Sequence, residues 1–540
     1  MTDLVHPAKS LGYSDLYLDF LSGKDTIRQF FCAARAEDVA HQLDRRSYAR
    51  DSMAEILSRQ NRLFGASDAT FSYIERLRQT DTVCIFAGQQ AGLFGGPMLV
   101  IIKALAIVKA AHDWSARLKR PVVPIFWIAG DDHDFGEINH TWVLNRDGGL
   151  AKVSYESSPV AALPAARIRF SDASELEKAI TLLRESLGQT DFTPDLYRLI
   201  ENAYTPDDTF VSAFGKLMAR LTGQFGLILF SPADDEVKQL AAPLFKEFLN
   251  RRRDLQAAIA DTNRRLRNDG YHTQVYEKED STHLFCDLDG RKLVTFHGED
   301  FLVGEKGYTA GQLAEVADKN PERLSPDVLL RPVLQSYLFP VLLQMGGPSE
   351  IAYFAQCHRL FEIFGLTAPF YAARPSATLV EKRFEALLRE ESIALEELSG
   401  DIEQLINRVL ARSFPEDLDK RFEQLRHDLG HRFNATVEES LMFDPSLKQF
   451  AAQTHGKLDF TLKQFAEKVF VSHKKKSKES RDRLYRLGNA LYPNRTLQER
   501  SLNIACFLSR YGFDILRFMY DRIDVNETAH QLVNLSELGS

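Results

Sequence analysis

The sequence predicts an α/β core followed by an α-helical coiled-coil domain, and three observations carry that prediction. Up to about residue 375, short β-branched or aromatic runs alternate with helical patterns, the mark of a parallel sheet covered by helices. Beyond it, apolar residues recur at three-and-four spacing between dense Glu, Lys and Arg. The chain's 540 residues also exceed what one hydrophobic core serves. Two domains are therefore expected, 1–375 and 376–540.

Along the core, residues 83–87 read as a strand, 97–112 as a helix and Val122–Ile128 as a second strand. That second strand is apolar throughout, as a central parallel strand should be. Residues 226–230 read as a strand, 236–251 as a helix and 339–343 as a further strand. The stretches 150–169 and 282–302 carry turn signals and period-two runs, and read as antiparallel insertions hung on the sheet. Past Pro375 the character is helical. Phe384, Leu387, Leu388, Leu395, Leu398, Ile402, Leu405 and Val409 form one apolar row, and Leu418, Phe422, Leu425, Leu429, Phe433 and Val437 a second. Leu458, Leu462, Phe465 and Val469 form a third, with breaks at SFPED (413–417) and FDPS (443–446). Long antiparallel helices with coiled-coil seams follow, serving as a rigid arm or a dimer interface. A seam short of partners within one chain favours a homodimer.

Composition narrows the function. Lys and Arg number 67 against 75 Asp and Glu, a formal charge of -8, which argues against nucleic acid as a partner. The start, MTDLVHPAKSLGYSDLY, lacks the basic and apolar regions of a signal peptide. The apolar stretch 98–111 is broken by Lys103 and Lys109 and is too short to span a membrane. The five cysteines, Cys32, Cys84, Cys286, Cys357 and Cys506, form no CxxC, so neither a disulfide framework nor a zinc ribbon is expected. The reading is a cytoplasmic protein without a membrane partner.

Three motifs could carry chemistry. AGQQAGLFGGP (87–97) joins the first strand to its helix. Its Gly88, Gly92, Gly95 and Gly96 permit close backbone approach, and Gln89 and Gln90 add neutral donors and acceptors. It is either an anion cradle or a tight βα turn, and it matches neither GxGxxG nor Walker A. PIFWIAGDDHDFGEINH (124–140) runs an apolar strand into Asp131, Asp132, His133, Asp134, Glu137 and His140. Open α/β sheets bind ligands at the carboxyl ends of their strands. Carboxylates there suit an ammonium group or Mg²⁺, and a histidine can move protons near neutral pH. In the bland reading, Asp132 or Asp134 caps a helix and the rest is solvated surface. No HExxH is present, so no metal is assigned. QMGGPSEIAYFAQCHRLFEIFG (344–365) makes a second glycine turn at Gly346 and Gly347. Its Glu350 is either a substrate ligand or a compensator of the helix dipole. HKKKSKES (473–480) superficially resembles the lysine-serine loop of class I aminoacyl-tRNA synthetases, but it lies in the helical region and reads as a solvated basic face.

The segments AGQQAGLFGGP, PVVPIFWIAGDDHDFGEINH, SPDVLLRPVLQSYLFP, GGPSEIAYFAQ and LYPNRTLQERSLNI, between Ala87 and Ile504, strongly resemble the bacillithiol biosynthesis BshC family. The resemblance implies a Rossmann-like core with connecting-peptide insertions and a coiled-coil domain that helps form a dimer. It implies a ligase that joins L-cysteine, through its carboxyl group, to the amine of glucosaminyl malate. It also implies a second site, able to hold ADP near the base of the coiled coil. The residues matching that site best are Tyr492, Asn494 and Arg500, with Lys382 beside them. The sequence departs from the synthetase pattern in having no HIGH tetrapeptide in its first βα loop.

Amide formation from a free carboxylate needs an activated acyl group, which ATP can supply as an acyl-adenylate or acyl-phosphate. On this reading Gln89, Gln90 and the glycine loop hold phosphate or the substrate carboxylate. Asp132, Asp134 and Glu137 hold the cysteine ammonium or Mg²⁺, and His133 or His140 takes the proton from the attacking amine. Arg331, Arg374 and Lys382 are the basic candidates for anionic glucosaminyl malate. Two rivals remain: a metal-dependent hydrolase or transferase using 131–140 without ATP, and a nucleotide-sensing coiled-coil scaffold. The ligase reading requires that 88–96, 131–140 and 346–350 converge on one polar cleft at one rim of the sheet.

Overall fold

Five apolar segments form an all-parallel sheet: β1 (Val83–Gln89), β2 (Val122–Ile128), β3 (Ile228–Phe230), β4 (Val341–Gly346) and β5 (Phe370–Ala373), in the order β5-β4-β1-β2-β3. The computed structural model describes residues 3–6, 9–31, 35–132, 134–159, 163–276, 278–288, 290–412, 416–476 and 478–538. Every residue of β2 and β4 is buried, which is why β2 reads as an unbroken apolar run and β4 as one interrupted by Gln344, rather than as alternating patterns. The helix α1 (Leu99–Leu118) returns the chain from β1 to β2. From β3, at one edge, the chain crosses back to β4 on the far side of β1. The winding therefore reverses between β1 and β4, and a crevice opens at the carboxyl ends of strands where such a reversal occurs.

Two insertions interrupt the sheet. Between β2 and β3, His140–Leu144 pairs antiparallel with Leu150–Ser154. The antiparallel reading of 150–169 holds only that far, and beyond it a single bridge joins Arg169 to Thr209. Pro159 and Pro164 lie in this stretch, and neither has an N–H to give a ladder. Between β3 and β4, the helices Asp235–Asn250 and Arg252–Asn268 precede a five-stranded antiparallel sheet. Its strands are Ser281–Asp287, Arg291–His297, Asp300–Val303, Lys306–Tyr308 and Leu324–Pro326.

Past Pro375 the first element is a strand, not the helix that the periodicity suggests. Ser376–Val380 pairs in parallel with His530–Asn534, which pairs antiparallel with Asp3–Val5. All five residues of Ser376–Val380 are buried. Five residues are too few to declare a period beside the long helical rows that follow. The chain divides into two compact units, Met1–Lys382 with Thr496–Ser540, and Arg383–Arg495.

In the second unit, α3 (Glu416–Phe443) and α4 (Lys448–Lys476) join through the turn Pro445–Leu447. Phe422 meets Phe465, Arg426 pairs with Asp459 at 2.7 Å and Phe433 meets His455. Partner numbers fall as α3 advances, so the two helices run antiparallel. The FDPS break is this turn, where Asp444 accepts the Ser446 N–H at 2.9 Å. Residues 413–415 of the SFPED break lie outside the described residues. The described residues of HKKKSKES lie on helices rather than in a loop. Among the described residues no helix is long and apolar enough to cross a membrane.

Candidate functional site

The carboxyl ends of β1, β2 and β4, facing the antiparallel insertion, enclose a cleft of about 990 Å³. All three sequence segments reach it. Gly88, Gln89 and Gln90 come from the end of β1, and Asp131, Asp132, Glu137 and His140 from beyond β2. Gly347 and Glu350 come from the turn after β4, and Arg331, Arg374 and Arg500 add three guanidinium groups.

Between the two glycine turns lies Lys103 of α1, an ammonium almost fully buried. It donates to Gly88 O at 2.9 Å, to Gln89 Oε1 at 2.9 Å and to Glu350 Oε2 at 2.6 Å. Glu350 sits in the first turn of α2 (Pro348–Cys357) and also accepts the Gly347 N–H at 2.8 Å, closing that turn. Burial works to raise the Glu350 carboxyl, but Lys103, the Gly347 amide and Arg331 outweigh it and hold the group below its ordinary range. Burial draws Lys103 below its own range, against the pull of Glu350. In sequence, Lys103 registers only as a charge that interrupts an apolar helix, so its place in the site is not legible there.

The other loop is braced similarly. Gln90 Nε2 donates to Asp132 Oδ2 at 2.7 Å, tying the end of β1 to that of β2. Lys238 places its ammonium 3.0 Å from both oxygens of Asp131 and donates to Leu324 O at 3.0 Å. His140 Nδ1 lies 3.1 Å from Asn139 Oδ1. Burial, with Lys152 nearby, lowers the His140 pKa and so favours the neutral ring.

Several candidate residues lie elsewhere. Gly92, Gly95 and Gly96 are buried behind the cleft rather than lining it, and their N–H groups are used within the turn. Gly92 donates to Gln90 O at 2.9 Å, Gly95 to Gly92 O at 3.1 Å and Gly96 to Leu93 O at 3.0 Å. These glycines serve close packing, since a Cβ on Gly92 would lie 2.9 Å from Gly96 Cα. Asn503 grips the turn from outside, donating to Phe94 O at 2.9 Å and Gly96 O at 2.7 Å. Gly346 is the buried end of β4, where a Cβ would meet Phe354 at 2.7 Å. Asp134 caps the short helix Phe135–Ile138, accepting the Glu137 N–H at 3.3 Å, and does not line the cleft. His133 lies outside the described residues. The second-site residues are divided: Lys382 and Arg500 belong to the first unit, Tyr492 and Asn494 to the second.

Arg374 is fixed from behind by Glu499, 2.7 Å away and fully buried. Glu499 also accepts from Ser376 Oγ at 2.9 Å and from the Ala377 N–H at 2.9 Å. Arg331 rests over the Tyr353 ring and donates to its hydroxyl. From the insertion, His283, Phe285 and Arg291 complete the wall opposite the sheet. Sequence reading missed them because no motif marks these two strands.

The donor set does not fit a metal ion held by protein alone. Among the described residues no three His, Cys, Asp or Glu side chains group as ligands, and Asp131 and Glu350 already neutralise lysines. The described cysteines, Cys84, Cys286, Cys357 and Cys506, are buried free thiols away from the cleft.

Comparison with known proteins agrees with this architecture. The family model for the bacillithiol biosynthesis BshC N-terminal Rossmann-like domain matches residues 3–375, and that for the BshC C-terminal coiled-coil domain matches residues 377–535. The relative named "Putative cysteine ligase BshC" in Koribacter versatilis is 31% identical over 512 residues, 94% of each chain. Its namesake in Salinibacter ruber is 31% identical over 541 residues, 98% of each chain. One in Bacillus cereus strain AH187 is 27% identical over 527 residues, 96% of this chain and 97% of the relative. With both domains matched in order and the likeness running nearly end to end, the chain belongs to the bacillithiol biosynthesis BshC family.

Proposed function

We propose that this protein is a ligase that joins the carboxyl group of L-cysteine to the amine of glucosaminyl malate, with ATP activating the carboxyl. One observation carries the reading: three segments distant in sequence meet at the point where the sheet's winding reverses, in a cleft that offers both acids and guanidinium groups. Its volume, about 990 Å³, is at the upper end for small-molecule sites and suits two reactants. Arg331, Arg374 and Arg500 match the malate carboxylates and the phosphates of an activated acyl group. Glu137 and Asp132 match the cysteine ammonium. Gln89 and Gln90, rather than the glycine amides, present neutral hydrogen-bonding groups at the rim. Magnesium enters this reading only as the counter-ion of the nucleotide phosphates.

The protein works in the cytoplasm as a homodimer joined along α3 and α4, a reading supported by Phe450 and Phe460, exposed at 69% and 61%. The metal-dependent hydrolase finds less support, because Asp131 and Glu350 are already paired with lysines.

The test is incubation of the purified protein with L-cysteine, glucosaminyl malate and ATP, followed by mass spectrometry for the amide. Product that requires ATP is expected. No product with any nucleotide, with or without magnesium, would remove the ligase reading.

A further inference from the structure

We infer that His283, oriented by Asp327, is the group that takes the proton from the attacking amine. The inference deepens the ligase reading and rests on it. Both side chains line the cleft. His283 stands in the strand Ser281–Asp287, where the register with its neighbour shifts between Ser281 and Phe285. Its backbone is left-handed, with φ 59°, a conformation that L residues rarely adopt and that concentrates at functional positions. Such irregularities re-aim a side chain.

The surroundings hold it there. The His283 N–H donates to Ser281 Oγ at 3.0 Å, and the Asp327 N–H donates to His283 O at 2.8 Å. The ring meets Asp327 Oδ2 through Nδ1 at 2.7 Å. The other carboxylate oxygen accepts the Leu329 and Leu330 N–H groups at 2.9 and 3.1 Å, at the start of the helix Arg331–Leu338. A carboxylate can only accept, so Nδ1 carries the hydrogen, and in the neutral ring the lone pair is then on Nε2. A base needs such an orienting partner. His140 Nδ1 meets the neutral Asn139 amide oxygen rather than a carboxylate.

The neutral amine of glucosaminyl malate attacks the carbonyl carbon of the cysteinyl phosphoric anhydride, and the C–N bond forms. The N–H proton passes to His283 Nε2, and its electron pair stays on nitrogen. The acyl C–O bond breaks, and its pair leaves with the phosphate group. The imidazolium then releases the proton to solvent while Asp327 stays ionised.

The experiment uses the full-length protein and its His283→Gln, His283→Ala and Asp327→Asn variants, with nitrogen-15 NMR of labelled histidines. The wild-type ring is expected as the Nδ1–H tautomer, its signal shifting when glucosaminyl malate saturates the protein. Asp327→Asn is expected to change that tautomer. Each His283 variant is expected to lose about 10²- to 10⁴-fold in kcat with KM values within a few-fold of wild type. Folded His283 variants that keep kcat within about threefold would overturn the inference, as would an Nε2–H tautomer in the wild type or a His283 signal that glucosaminyl malate leaves unmoved. These NMR outcomes decide the matter even if the substituted proteins fail to fold. A wild type that makes no product removes the ligase reading, while the response of the ring to glucosaminyl malate still decides whether His283 meets the amine.

Discussion

Lys103 and Glu350 form the contact on which the cleft is built, and a single substitution exposes how it works. Removing one partner strands a buried charge, whereas removing both leaves only a packing problem. Lys103→Met or Glu350→Gln alone should each destabilise the fold by about 3–5 kcal/mol. The double variant should cost clearly less than the sum, by at least about 1 kcal/mol in a urea double-mutant cycle. Strict additivity would show that the pair is not a unit. Two buried histidines give a pH signature. Burial lowers His358 to about 4, and lowers His530 to about 4 although Glu499 pulls the other way. His530 is enclosed between Ser376 Oγ at 2.7 Å and Thr378 Oγ1 at 2.8 Å. Their unperturbed value is 6.5, so between pH 6.5 and 4 the unfolded chain takes up protons that the native chain refuses. Stability present above pH 6.5 should therefore fall as pH drops toward 4, at up to two protons per molecule. Denaturant midpoints unchanged between pH 7 and pH 5 would contradict it.

What was legible at the level of elements follows from how much signal each carries. β2 and α1 announce themselves through long apolar runs, and α3 and α4 through repeated spacing. Ser376–Val380 and Leu324–Pro326 are five and three residues long, and their partners lie far off in the chain. No local pattern can reveal such pairings. The site divides in the same way. Its rim was legible chiefly because β2 runs into ionisable residues, which a simple turn would not require. The direction of the glycine amides was not, since only the fold shows that Gly92, Gly95 and Gly96 spend theirs within the turn. His283 was invisible for a further reason: its meaning comes from Asp327, 44 residues later. The helical hairpin offers its own test. If the proposed homodimer joins along this hairpin, the wild type should sediment as a dimer and Phe450→Asp with Phe460→Asp as a monomer, while far-UV circular dichroism stays unchanged, because both rings are mostly exposed within the chain. A variant that still sediments as a dimer would move the interface elsewhere.

For the molecule as a whole, the cleft depends on residues that the chain supplies last. The segment 496–540 returns to the first unit, where Asn503 grips the glycine turn, Glu499 fixes Arg374, and Arg500 lines the cleft. The strand His530–Asn534 sits between Ser376–Val380 and Asp3–Val5, so both ends of the chain are joined in one small sheet. Removing residues 524–540 should unpair those two strands and withdraw His530 from Ser376, whose hydroxyl also donates to Glu499. The loss should pass from that sheet to Glu499 and from Glu499 to Arg374, three successive contacts from His530. The shortened protein is expected to melt at a clearly lower temperature and to bind glucosaminyl malate at least about tenfold more weakly by calorimetry, an affinity loss of about 1.4 kcal/mol. For a protein of this size a melting temperature within about 1 °C of the full chain corresponds to no more than about 1 kcal/mol. That result, with binding intact, would show that the cleft stands without its C-terminal brace.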